Sequence, residues 1–108
     1  MPGRRSRDKG ANFEREMARL FREAYPDARR GIGQSRAAGE VPDVDGTPWW
    51  VECKRQKAPN IRAAYRQAQE ATDGRPVLVV TKADREDILV TMSWKDFVRW
   101  TTEILKQS

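Results

Sequence analysis

Three acids and one lysine in this chain have the types and spacing to do chemistry. Glu52 and Lys54 stand two residues apart in Trp49-Trp50-Val51-Glu52-Cys53-Lys54, and eight residues separate Glu52 from Asp43 in Val41-Pro42-Asp43. In an extended strand, side chains alternate faces, so Glu52 and Lys54 point one way while Trp49, Val51 and Cys53 point the other. A buried acid and a lysine on one strand face are costly unless they have partners or a task. The third acid is Glu14, which falls inside the apolar arc of a helical stretch rather than among the solvated charges. Three carboxylates suit a hard cation with oxygen ligands, Mg²⁺ or Mn²⁺ rather than zinc. Such a cation polarises a phosphate and lowers the pKa of a bound water, and Lys54 is placed to position that water or to neutralise developing charge.

The composition supports a phosphate substrate and excludes other chemistries. The net charge is +5, and arginine outnumbers lysine 15 to 6; the planar guanidinium matches phosphate better than a point charge does. There is no histidine, which removes histidine-based nucleases, histidine-held metals and Ser-His-Asp catalysis. A lone cysteine, Cys53, forms no internal disulfide or zinc cluster and fits a reducing compartment. With no membrane-length apolar run and no signal pattern, the expectation is a soluble cytoplasmic protein without a membrane partner.

The elements that must position these residues follow from hydrophobic periodicity. Residues 1–9 read as a basic flexible arm, and residues 10–108 as one domain. Phe13, Met17, Leu20, Phe21 and Ala24 give a buried helical stripe over 11–25, stopped by Pro26. Arg29 to Glu40 is a short strand running into a loop rich in small residues and arginine. Val41–Asp45 and Trp49–Arg55 form a hairpin around Asp45-Gly46-Thr47-Pro48. With that turn, Asp43 falls opposite Trp50 and diagonal to Glu52, and Asp45 is a turn residue. Pro59 opens a helix over 60–72 with Gln67 on its packed, alanine-lined side. Val77–Thr81 reads as a strand buried on both faces, followed by a strand over 88–92. Ser93 caps a last helix whose stripe is Trp94, Val98, Thr101 and Leu105. The expectation is one α/β domain with helices on a small mixed sheet.

Pro42-Asp43 followed by Glu52-Cys53-Lys54 resembles the PD-(D/E)xK nuclease signature. Lys9-Gly10 leading into Phe13-Glu14-Arg15-Glu16 resembles the first helix of archaeal-type and phage Holliday junction resolvases. The resemblance implies a restriction-endonuclease-like fold with αβββαββα order. It implies Mg²⁺ held by Glu14, Asp43, Glu52 and the backbone carbonyl of Cys53, with Lys54 catalytic and Gln67 as the second-helix glutamine. It also implies cutting of branched DNA by a homodimer, in the host cytoplasm if the gene is carried by a phage. Ser35 stands where resolvases carry a loop serine, but Gly39-Glu40 departs from their serine-glycine-alanine loop. Candidate DNA-contacting residues are Arg4, Arg5, Arg29, Arg30, Ser35, Arg36, Arg55 and Lys57. Two other readings are cleavage of nicked, single-stranded or duplex DNA, and a non-catalytic DNA-binding module.

Overall fold

The computed structural model describes residues 2–31 and 39–107, with side chains from Asp8 onward. The elements are α1 (Pro2–Phe21), β1 (Arg29–Arg30), β2 (Val44–Asp45), β3 (Trp50–Arg55), α2 (Ile61–Ala71), β4 (Val77–Lys82), β5 (Leu89–Thr91) and α3 (Trp94–Lys106). This is the expected αβββαββα order. The five strands form one mixed sheet, β1-β2-β3-β4-β5, in which β3 and β4 run parallel and the other neighbours antiparallel.

Helices cover both faces of the sheet's centre, and strand alternation shows which residue serves which layer. Val51, Cys53, Leu78 and Val80 pack with Phe13 and Met17 of α1. Trp50, Val77 and Val79 pack with Ala64 and Ala68 of α2. Consecutive residues of β3 and β4 thus face opposite layers, which is why Val77-Leu78-Val79-Val80 is an unbroken apolar run. The alanines let α2 lie close to the sheet. Asn60 caps α2 by accepting the Ala63 N–H at 3.1 Å, and Gly74, at φ 110°, turns the chain towards β4.

Three expectations are corrected. The basic segment 1–9, expected to be a flexible arm, is helical from Pro2 and forms the start of α1. Arginine and lysine are good helix formers, and proline is tolerated in a first turn. The hairpin's first strand narrows to Val44–Asp45, with Val44 paired to Val51. That register sets Asp43 across from Glu52 instead of Trp50, two residues along β3 from the sequence expectation. The apolar stripe of α3 faces outwards: Trp94 is 77% and Leu105 73% exposed, and no residue of α3 is buried. Its ring contact with the body is Trp100 edge-on to Trp49, with centroids 6.0 Å apart.

Candidate active site

Asp43 is fixed by its backbone before its side chain acts. Its N–H donates to the Val51 carbonyl at 2.8 Å, and its carbonyl accepts the Gly31 N–H at 2.9 Å. Gly31 lies so close to Pro42 that a Cβ there would overlap the Pro42 carbonyl, so only glycine allows this crossing. The Asp43 carboxylate then accepts the Cys53 N–H through Oδ2 at 2.8 Å. Glu52, in phase with Trp50 on β3, is largely covered, its side chain 16% exposed, and Lys54 Nζ lies 3.7 Å from Glu52 Oε1.

The electrostatics follow from putting two carboxylates in one partly buried place. Burial, and after it the neighbouring Asp43 charge, raise the pKa of Glu52 to about 7 against the pull of Lys54. Asp43 is also raised, chiefly by burial and also by the field of Glu14, with the Cys53 N–H opposing. One proton held near neutral pH on Glu52 relieves the repulsion. Burial, then the charges of Asp43, Glu14 and Glu52, push the Cys53 thiol far up, so it stays protonated and unreactive.

Glu14 does not join this pair as expected. It is half-buried on α1 and bonded to Arg30 Nε at 2.8 Å. Its charge still reaches Asp43, whose pKa it raises. Among the described residues, no three His, Cys, Asp or Glu side chains form a ready-made metal cage. The donor chemistry of Asp43 and Glu52 fits a hard cation: two adjacent carboxylates, mutually destabilised when both are charged. The third expected ligand is held by an arginine.

Of the expected DNA contacts, Arg55 and Lys57 line a groove of about 460 Å³ with Lys9, Gly10, Cys53, Lys54 and Gln56. This groove adjoins the acidic pair through Lys54. Arg29 is exposed, 3.8 Å from Asp45, and Arg30 is engaged by Glu14. Ser35 and Arg36 lie outside the described residues, as do the side chains of Arg4 and Arg5. Gln67, expected on the packed side of α2, is exposed. The buried line of α2 is Ala64 and Ala68, and Gln67 sits just off it.

The sequence reading missed two residues. Arg75 binds Asp45 at 3.0 Å, Asp73 at 2.9 Å and the Thr47 carbonyl at 3.2 Å, and stacks over Trp50 at 5.4 Å. It ties the hairpin turn to the end of α2, and no local pattern announces so distant a pairing. Asp84, in the turn between β4 and β5, accepts from both Lys9 and Arg55; as one of three acids in the charged Lys82–Asp87 turn, it carried no signal of its own.

No protein-family model, no curated protein and no solved structure matches this chain. What stands without them is a small α/β domain with a half-buried carboxylate pair, a lysine beside it and a basic groove adjoining it.

Proposed function

We propose that this protein is a Mg²⁺- or Mn²⁺-dependent endonuclease of the PD-(D/E)xK type, with a restriction-endonuclease-like fold, acting on DNA in the cytoplasm. The observation that carries this reading is the Asp43–Glu52 pair, half-buried together beside Lys54 at the edge of a groove lined by four cations. A pair kept only for stability would be poorly chosen, since replacing buried charges by apolar groups is often neutral or stabilising. Asp43 and Glu52 would hold the cation, with the Cys53 carbonyl beside them, and Glu14 would join if Arg30 released it. When bound, the metal supplies Lewis-acid polarisation of the scissile phosphate and a more acidic water. Lys54 stabilises the negative charge that develops next to Glu52. Lys9, Arg55 and Lys57 hold the phosphate backbone without reading bases.

Branched DNA is the favoured substrate, by the resemblance to junction resolvases, and a homodimer would supply the second cut. Exposed apolar side chains support this reading: edge strand β5 exposes Leu89 and Val90, and α3 exposes Trp94, Phe97, Val98, Trp100, Ile104 and Leu105. Among the described residues, no helix is long and apolar enough to cross a membrane.

The test is cleavage of a labelled four-way junction, a flap, a linear duplex and a single strand by the purified protein with Mg²⁺. Metal-dependent cuts lost in Glu52→Gln and Lys54→Met, with DNA binding retained, support the reading. Unchanged cutting by both variants rejects the site, and equal cutting of all four substrates rejects junction selectivity.

A further inference from the structure

The basic groove holds an acid of its own. Asp84 Oδ1 accepts the Lys9 ammonium at 3.2 Å and the Arg55 guanidinium at 2.8 Å. Lys9 belongs to α1, Arg55 ends β3, and Asp84 follows β4, so three separate elements meet at one carboxylate oxygen. The Arg55 side chain is only 16% exposed, whereas Asp84 is 53% exposed at the lip of the groove. Arg55 also donates weakly to the Lys82 carbonyl at 3.4 Å, which helps hold the guanidinium aimed at the Asp84 position.

The turn carrying Asp84 is itself braced. Lys82 Nζ donates to the Glu86 carbonyl at 2.6 Å, the Glu86 N–H to the Ala83 carbonyl at 3.2 Å, and Arg85 takes the left-handed conformation at φ 62°. A non-glycine residue is disfavoured in that region, so the surroundings impose it. An exposed ion pair adds little stability, and so folding alone is a weak reason for this arrangement. Two converging cations around one acidic oxygen have the geometry of an oxyanion site, and a phosphodiester oxygen is the natural competitor for it.

We propose that Lys9 and Arg55 form a subsite for a DNA backbone phosphate, and that Asp84 occupies it in the free protein as an internal phosphate mimic. DNA must displace Asp84 to seat in the groove beside Lys54. Asp84 thereby weakens non-specific binding and makes occupancy of the groove depend on a ligand with stronger contacts elsewhere. The subsite rests on the nucleic-acid reading above but not on catalysis, and its test separates the two.

Binding of a short fluorescein-labelled DNA duplex is followed by anisotropy in EDTA, over a range of NaCl, so that no cleavage contributes. Asp84→Asn is compared with Glu70→Gln, an exposed acid near the C-terminal end of α2, away from the groove, which changes net charge equally. Asp84→Asn is expected to tighten binding roughly three- to tenfold at low salt and to steepen the salt dependence by about one phosphate equivalent. Glu70→Gln is expected to change binding by less than about twofold. Lys9→Met should weaken binding more in the Asp84→Asn background than in the native protein. Equal effects of the two acid variants, or no effect of Asp84→Asn, overturn the subsite. A tightened Asp84→Asn complex in a protein that cuts no DNA keeps the subsite and rejects the nuclease instead.

Discussion

The carboxylate of Asp43 accepts the backbone N–H of Cys53 at 2.8 Å, so an acid on the short strand β2 side is tied to the middle residue of Glu52-Cys53-Lys54. The bond uses one carboxylate oxygen and leaves the other for a ligand. It also explains why Asp43 meets Glu52 across the strands, in the register set by Val44 and Val51. The two acids are brought together by backbone geometry, against their own repulsion, and that is the condition under which a cation binds.

The pH dependence of the metal-free protein follows from that crowding. Glu52 has an ordinary value of 4.5 and is raised to about 7 in the fold. Between those values the folded state holds more protons than the unfolded one, so stability falls as pH rises through the window and levels off above it. Asp43 is raised too and acts in the same direction. Thermal unfolding in EDTA should show a falling midpoint from about pH 4.5 to about pH 7. Glu52→Gln should flatten the slope, and a native midpoint that rises over this range contradicts the pair.

Mg²⁺ must displace the shared proton, so its stabilisation should grow with pH. At millimolar Mg²⁺ the rise in unfolding midpoint should be larger at about pH 8 than at about pH 6. Glu52→Gln should remove most of it. The Glu14–Arg30 bond competes with any third ligand, so Arg30→Met should enlarge the Mg²⁺-induced shift by freeing Glu14. The same gain with Mg²⁺ at both pH values, in native and variant alike, speaks against a site at Asp43 and Glu52.

Much of this arrangement was legible in the sequence for a physical reason. Alternation, turn residues and helical stripes are local, and they sufficed for the element order, for β4 buried on both faces and for Ser93 as a cap. Register is not local. The Val44–Val51 pairing moves the partner of Asp43 by two residues, from Trp50 to Glu52. Convergence was less legible still: Glu14 sits on the buried side of its helix as expected, but the charge it meets there is Arg30. Helical projection also misjudged Gln67, because it gives an arc and not the depth at which a sheet cuts that arc off. The outward stripe of α3 looked like core, since an apolar face reads the same whether it is covered by the chain's own sheet or by another molecule.

Gly31→Ala tests whether the crossing of β1 by Pro42 positions the site. A methyl group cannot fit against the Pro42 carbonyl without moving the backbone that presents Asp43. The variant should lose about 2 kcal/mol or more of stability by urea unfolding, as overpacked sites commonly do. At temperatures where it remains folded, its Mg²⁺-induced stabilisation should also fall. Loss of stability with an undiminished Mg²⁺ effect would separate the crossing from the site.

Arg75 is expected to matter for acid stability rather than for catalysis. Burial tends to raise the Asp45 pKa, but the Gly46 N–H and the Arg75 guanidinium outweigh it and leave the acid below its ordinary value of 3.8. That contribution is present above the unfolded value and is lost as pH falls through the lower folded one. Arg75→Met should destabilise at neutral pH by about 2 kcal/mol, through lost bonds to Asp45 and lost stacking on Trp50. The deficit should shrink at about pH 3, while cleavage per folded molecule stays near native. A deficit independent of pH would assign the effect to Trp50 packing alone.

The exposed stripe of α3 predicts the assembly state. A thirteen-residue helix is marginal by itself in water, and α3 presents Trp94 and Leu105 almost fully to solvent. Trp94 stacks on Phe97 at 5.8 Å between centroids, so these side chains already form a flat apolar surface instead of scattered contacts. Pairing through a two-fold axis would cover that surface with the same surface, while Lys95, Arg99 and Glu103 on the opposite arc remain wet. Sedimentation of the native protein should give a dimer at micromolar concentration. Trp94→Asp with Leu105→Asp should give a folded monomer, because neither residue contributes to the core shared by α1, the sheet and α2. A native monomer at the same concentration would remove the homodimer, and with it the expectation of paired cuts in one junction.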